Sequence, residues 1–226
     1  MASPPRDIAA WVATHVFGRP PEFWAAIFES DAGLERWCRQ GATVPARWLA
    51  AVIDDARACG QPLFPQLRIE TVSAQREEFC DWLVAGNGPW PAEPRETGCW
   101  IGSGRARHAF DRMAARLHEI AAAVLGTAAP PRAIAWSPRP GRALTVVETA
   151  RGFLLHAGRL DSGRTTLAGY GVQAPTDWNF ASTGPVATLL GAAAQATEPA
   201  RRERLARLIA TAYAPCLAFE VEHAGA

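Results

Sequence analysis

Proline and glycine divide the first 90 residues of this chain into short segments and limit how long any helix there can be. The chain of 226 residues contains 18 prolines and 19 glycines. Proline suits the first turn of a helix and glycine its end, so these residues indicate where helices begin and stop. Apolar residues recur at helical spacing between them. The pattern predicts helices over residues 7–17, 22–29, 32–39, 46–58 and 75–84.

Further along the chain, helical periodicity gives way to strand patterns. A long amphipathic helix is predicted over residues 104–125, where apolar residues recur at three- and four-residue steps. Residues 142–149, 152–160 and 165–173 are instead rich in Val, Leu, Thr and Tyr and are separated by short turns. Two more helices are predicted over residues 184–194 and 199–213. The predicted fold is therefore α+β and mainly α, with helices around a small three-stranded antiparallel sheet.

The composition excludes several classes of function. Apolar residues make up 49% and the formal net charge is +1, which favours a packed domain and argues against a general nucleic-acid surface. All 23 basic residues are arginine, so mechanisms that need a lysine Schiff base or a phosphate-loop lysine are excluded. No apolar run approaches the roughly 20 residues of a membrane span. With no secretory signal at residues 1–6, we expect a cytoplasmic protein.

Five cysteines are present, and their spacing does not indicate a disulfide framework. Their number is odd and no CxxC pair occurs. Cys38, Cys80 and Cys99 lie next to or near a tryptophan in the sequence, which favours buried structural thiols. The sequence also lacks three common motifs, namely an HExxH-type histidine cluster, GxSxG and a complete phosphate loop. Residue types alone therefore indicate an α+β domain without assigning a reaction.

Four short segments in the second half of the chain carry more information when they are taken in order. They are Glu96-Thr97-Gly98, Glu148-Thr149-Ala150-Arg151-Gly152, Pro175-Thr176-Asp177-Trp178-Asn179 and Ala214-Pro215-Cys216. The series resembles the C-terminal half of nickel–iron hydrogenase large subunits, over residues 95–223. Those enzymes hold their metals with two CxxC pairs. Here Phe219 stands at the position of the second C-terminal cysteine and Glu222 at that of the expected histidine, so the resemblance implies that a four-thiolate bimetallic centre does not form.

The tail sequence is similar to one branch of this superfamily, the HupK/HoxV-type hydrogenase expression/formation proteins. These are non-catalytic relatives of the large subunit and are thought to hold an Fe(CN)2(CO) unit during maturation. The resemblance therefore implies an accessory scaffold, not an enzyme. It would hold the Fe(CN)2(CO) unit transiently, and its partners would be HypC/HypD-type chaperones and the large subunit. It also implies a large-subunit-like core over residues 95–226, preceded by a helical region over residues 1–94.

The resemblance assigns candidate roles to individual residues. Cys216 is the candidate metal ligand, and Cys59 in Arg-Ala-Cys-Gly is the candidate counterpart of the N-terminal pair, whose second position is Pro62. Arg151, Thr176 and Asn179 are candidate hydrogen-bond donors to the bound unit, because cationic and polar donors suit anionic acceptors.

Each assignment has a structural alternative. In those alternatives Arg151 is a surface arginine, Asn179 caps a turn and Cys216 is a structural thiol. The Arg-Ala-Cys-Gly sequence around Cys59 is then only the end of a helix. Trp178 is more simply explained as a core residue, and Glu96 as an ion-pair partner of the long helix. A relative that only binds proteins and a catalytic large subunit are the two alternative functions, and Phe219 argues against the second.

Overall fold

A computed structural model describes residues 7–60, 64–86, 93–101 and 107–222 of the chain. Within these residues the helices are α1 (Ile8–Val12), α2 (Trp24–Phe28), α3 (Asp31–Gln40), α4 (Val44–Ala58), α5 (Ile69–Ala74), α6 (Arg76–Ala85), α7 (Ala109–Val124), α8 (Pro175–Asn179), α9 (Pro185–Ala193) and α10 (Pro199–Tyr213). A π-helical turn, Ala13–Phe17, continues α1, and a 3-10 turn, Pro21–Phe23, precedes α2. None of the helices in the described ranges is long and apolar enough to cross a membrane.

Local capping explains where several helices begin. The Ser30 side chain accepts a hydrogen bond from the Gly33 amide at the start of α3, and Thr43 accepts one from Ala46 at the start of α4. The bounds predicted for these two helices are confirmed to within two residues. The α7 helix begins at Ala109, and the residues 102–106, which include its predicted start at Gly104, lie outside the described part.

The sheet has four antiparallel strands in the order β1-β2-β3-β4, so the prediction of three strands is wrong. The strands are β1 (Ala133–Trp136), β2 (Arg142–Thr149), β3 (Gly152–Leu160) and β4 (Leu167–Gln173). The additional strand, β1, has four residues and lies between prolines, so it is too short to show a strand pattern in the sequence. It becomes a strand because β2 offers it a hydrogen-bonding edge.

One face of the sheet packs on α6. Leu144, Val146, Leu155 and Ala157 point to this face and are buried. The helix lies so close to β4 that a Cβ atom on Gly171 would be 2.0 Å from the Leu83 carbonyl oxygen, which explains a glycine in that strand. The α5, α6 and α8 helices complete this cluster, in which Trp178 is 3% exposed. The prediction that Trp178 is a core residue is confirmed.

A second cluster consists of helices. It combines α3 and α4 with α7, α9 and α10, and Trp24, Trp37 and Trp100 are buried within it. Trp11 and Trp48 are exposed, so the tryptophans of the first 90 residues are divided between core and surface. Helices from both sides of the predicted boundary at residues 94/95 contribute to this cluster, and the boundary itself stays a prediction.

Candidate functional site

Three of the four segments that carry the resemblance meet at Thr97. The Thr97 amide donates to Asn179 Oδ1 at 3.0 Å, and Asn179 Nδ2 donates to the Thr97 carbonyl at 2.8 Å. The Thr97 hydroxyl oxygen accepts a hydrogen bond of 2.9 Å from the Phe153 amide, at the start of β3. Thr97 and Asn179 are 0% and 1% exposed. The loop before α7, the β2–β3 hairpin and α8 are therefore held together by buried hydrogen bonds.

The close approach of the hairpin to Thr97 requires a glycine at position 152. Gly152 has a φ of +122°, and a Cβ atom there would lie 2.3 Å from the Thr97 hydroxyl oxygen. Both the backbone conformation and the space exclude other residues. The Arg-Gly pair in the second segment thus has a structural reason for its glycine, independent of any ligand.

Beneath this junction lies a buried polar cluster. Glu96 Oε1 accepts hydrogen bonds from Trp100 Nε1 at 2.7 Å and from Arg112 Nε at 2.8 Å. The Arg112 side chain is 1% exposed, and its guanidinium lies 4.7 Å from the centre of the Tyr213 ring. The alternative in which Glu96 pairs with the long helix is confirmed. This cluster connects the first segment to α7 and to the last residue of α10.

The fourth segment follows α10 and brings Cys216 to α8. The helix ends at Tyr213, and Ala214 has left-handed backbone angles, with φ 44° and ψ 71°. After this turn the Cys216 sulfur lies 3.3 Å from the Thr176 hydroxyl oxygen, a contact in which either group can be the donor. Cys216 is exposed, and the next residue, Leu217, is 82% exposed. The structure therefore brings together two of the predicted site residues, Cys216 and Thr176, at an accessible position.

Arg151 lies at the turn between β2 and β3 and is exposed. Its amide donates to the Thr149 hydroxyl at 3.3 Å. Burial lowers the pKa of Arg116 on α7, and the positive charge of Arg151 lowers it further. Arg151 is therefore close enough to Arg116 for electrostatic repulsion. Arg151 is accessible, which suits both the predicted hydrogen-bond donor to a bound unit and the surface arginine of the alternative.

Asn179 is placed differently from Thr176, although both belong to α8. Its amide oxygen and nitrogen are both bonded to the Thr97 backbone, and its side chain is buried. These hydrogen bonds fix the orientation of α8. Asn179 thus connects segments of the chain, while Thr176 one turn earlier contacts Cys216.

Cys59 lies inside the helical cluster. It is 5% exposed, and its thiol points to the Leu205 carbonyl of α10 at 3.9 Å. Burial raises the pKa of Cys59 to about 11, which favours the neutral thiol. Leu205 is two turns before the end of α10, about 12 Å along the helix axis from Tyr213. Pro62, the predicted partner position of Cys59, lies outside the described residues.

The other cysteines follow the prediction of structural thiols in two cases. Cys38 and Cys80 are 1% and 0% exposed. Cys99 is half-buried and interacts with the Glu119 carboxyl group, and burial raises its pKa to about 12. Within the described residues no three His, Cys, Asp or Glu side chains form a group able to hold a metal ion. Cys216 is therefore the accessible thiol of the candidate site.

No family model matches the chain. A hydrogenase expression/formation protein HoxV from Cupriavidus necator is 33% identical over 95% of the chain, and a HupK protein from Azotobacter vinelandii is 30% identical over 88%. A HupV protein from Azotobacter chroococcum is 41% identical over 93 residues. The chain is homologous to the HoxV/HupK-type hydrogenase expression/formation proteins. It spans 62% of the length of that HoxV protein and 61% of that HupK protein.

In this HoxV/HupK homologue, two arginines of α7 contribute to the site without having been assigned a role from the sequence. Arg112 and Arg116 are one turn apart, and both point into the interior toward the end of α10. The signal was present, because both lie in α7, whose other buried residues are apolar apart from Asp111. A sequence pattern alone does not distinguish a buried arginine from one at the edge of a helix face.

Proposed function

We propose that this chain is an accessory scaffold in nickel–iron hydrogenase maturation that transiently holds the Fe(CN)2(CO) unit through Cys216. The observation that carries the proposal is the exposed Cys216 thiol, 3.3 Å from the Thr176 hydroxyl of α8. The names of the relatives, hydrogenase expression/formation proteins, support a role in maturation. The unit is cargo and leaves for the large subunit.

A single accessible thiolate suits temporary binding. Thiolate sulfur is a soft ligand that binds iron, and one thiolate gives a weaker site than four. Phe219, at the position where the enzymes have their next cysteine, supplies no lone pair to a metal. A carrier has to release its metal unit, so a smaller set of ligands favours transfer over retention. The chain would then have no catalytic activity of its own.

The neighbouring side chains divide into donors and supports. Thr176 can donate a hydrogen bond to the thiolate or to a cyanide nitrogen next to it, and Arg151 supplies an exposed positive charge for an anionic iron unit. Asn179 orients α8 through Thr97 and so keeps Thr176 in position. Cys59, with its buried thiol, serves the helical core in this proposal.

The partners proposed for such a carrier are those that deliver and receive the unit. HypC/HypD-type chaperones would load the iron unit, and the hydrogenase large subunit would accept it in the cytoplasm. Leu217, 82% exposed beside Cys216, offers an apolar contact for a partner at the same place. That exposure also supports the second candidate function, a relative that only binds protein partners.

Infrared spectroscopy of the protein co-produced with the maturation machinery tests the proposal. Wild-type protein is expected to show cyanide and carbonyl stretches, and Cys216→Ala is expected to lose them. Cys80→Ala, which changes a buried thiol of the sheet cluster, is the matched control and should retain them. Thr176→Val should shift or weaken the bands.

Three outcomes would contradict this reading. Absence of bands in the wild type, together with intact binding to a maturation partner, supports the protein-binding relative. Bands that persist in Cys216→Ala exclude Cys216 as the ligand. Bands that disappear in Cys59→Ala, with folding unchanged, give Cys59 the ligand role that its sequence context predicts and its burial argues against.

A further inference from the structure

The end of α10 is held by Arg116, a half-buried arginine from α7. The Arg116 Nη1 atom donates to the Thr211 carbonyl at 2.9 Å, and its Nη2 atom donates to the Ala212 carbonyl. The last carbonyl groups of a helix have no partner within the helix, and the helix dipole places partial negative charge there. One guanidinium with donors in a planar fork satisfies two of these groups at once.

The position of this arginine is fixed from several sides. Its guanidinium lies 5.7 Å from the centre of the Trp100 ring and is also in contact with the Cys99 thiol. One turn earlier on the same helix, Arg112 lies over Tyr213, the last residue of α10. The end of α10 therefore rests on a rigid and largely buried support.

The support acts directly on the segment that carries Cys216. Only Tyr213, Ala214 and Pro215 separate the carbonyl of Ala212 from Cys216. Ala214 has a positive φ, an uncommon conformation for a residue with a Cβ atom. The next residue is Pro215, whose ring fixes its own φ. A chain held at Ala212 and forced to turn at Ala214 has little freedom left before it reaches Thr176.

We infer that Arg116 is a positioning residue for Cys216: by holding the last carbonyls of α10, it directs the Cys216 thiol to Thr176. The inference rests on the proposed function for its biological meaning, because it concerns the same thiol. The predicted donors Arg151, Thr176 and Asn179 do not include it. Arg116 itself does not contact the bound unit in this account.

A disulfide between positions 176 and 216 measures the positioning without iron. A cysteine in place of Thr176 puts a sulfur close to where the hydroxyl oxygen lies, 3.3 Å from the Cys216 sulfur, and a small movement brings the two within bonding distance. Oxidised glutathione is the oxidant. Each disulfide formed releases two reduced glutathione molecules, so the equilibrium gives the effective concentration of one thiol near the other.

The experiment compares Thr176→Cys alone with the same change combined with Arg116→Met or Arg116→Lys. We expect Arg116→Met to lower the effective concentration by about tenfold or more, because the end of α10 is released. Lysine keeps the charge but reaches one carbonyl at most, so an intermediate value is expected. The linked peptides are quantified by mass spectrometry.

Two controls separate positioning from general loss of stability. Arg207→Met removes an exposed arginine of α10, which is paired with Glu203, and should leave the effective concentration unchanged. Leu189→Ala creates a cavity in the same helical cluster and destabilises the fold, but it removes none of the hydrogen bonds that Arg116 donates to the end of α10. The inference is overturned if Arg116→Met stays within twofold of the parent, or if Leu189→Ala lowers the value as much.

Failure of this inference and failure of the proposed function give different results. If Arg116→Met lowers the effective concentration while Cys216→Ala keeps its cyanide and carbonyl bands, the positioning stands and the iron role of Cys216 falls. If the bands depend on Cys216 but the effective concentration does not depend on Arg116, the proposed function stands and this inference falls.

Discussion

Removing the carboxylate of Glu96 should be one of the most costly single changes in the chain. Its Oε1 atom accepts both the Trp100 indole N–H and the Arg112 Nε–H, and the two side chains of the ion pair are 5% and 1% exposed. Arginine does not lose its proton in a protein, so Glu96→Ala leaves a buried charge without its partner. Breaking a buried pair in this way costs about 3–5 kcal/mol.

The contributions of hydrogen bonding and charge can be separated at this position. Both donors reach the same oxygen, so Glu96→Gln can keep both hydrogen bonds and remove only the charge. We expect it to cost about half as much, since a hydrogen bond to a charged group is worth about 1.5–3 kcal/mol and one to a neutral group about 1 kcal/mol. In the double variant Glu96→Ala, Arg112→Met, neither charge of this pair is left without its partner, so the loss should be smaller than the sum of the single losses.

Urea unfolding followed by tryptophan fluorescence measures these free energies, because Trp100 is itself part of the cluster. The control is Glu203→Ala, which breaks an ion pair between side chains that are 44% and 52% exposed. This change should cost less than about 1 kcal/mol. A loss of 1 kcal/mol or less for Glu96→Ala, or strict additivity with Arg112→Met, would refute the reasoning.

Further substitutions are expected to be measurable in the same assay. Gly152→Ala should lower the free energy of unfolding by about 2–4 kcal/mol, because of the positive φ and the contact of the new Cβ with Thr97. Gly191→Ala in α9, where the new Cβ meets nothing within 4 Å, should instead raise it by about 0.5–1 kcal/mol, and a loss there would contradict the argument. Burial raises the pKa of Cys59 to about 11, above its value of about 8.5 in the unfolded chain. The stability that its neutral form provides is complete below pH about 8.5 and is lost as the pH rises toward 11. Cys59→Val should therefore reduce the alkaline loss of stability, and an unchanged pH profile in this variant would contradict the argument.

The helices were the part of the fold most accessible from the sequence. Capping residues and prolines act over three or four positions, so α3, α4 and α10 could be placed within two residues. The strand β1 could not be predicted, since four residues carry too little pattern and depend on pairing with β2. The glycines of β4 are likewise explained only by the packing of α6 against that strand, a tertiary contact that the local sequence does not specify.

The candidate site was also predictable only in part from the sequence. The sequence was sufficient to choose the four segments and, within them, Cys216 and Thr176. The order of short motifs along the chain can be compared without any knowledge of the distances between them. The separation of Cys59 from the accessible thiol could not, since burial depends on residues far apart in the chain. The placement of Asn179 on the Thr97 backbone rather than at an open surface is of the same kind.

The sequence by itself determined the α+β class, the boundaries of α3, α4 and α10, and the homology to hydrogenase expression/formation proteins, since these depend on neighbouring residues or on motif order. Only the tertiary structure decided which candidates meet and what holds them. Thr97 joins three segments by hydrogen bonds that cross more than 50 residues, and Arg116 reaches the end of α10 from nearly 100 residues away. Such contacts form only when the apolar faces of distant helices and strands are buried together, and no local pattern specifies them.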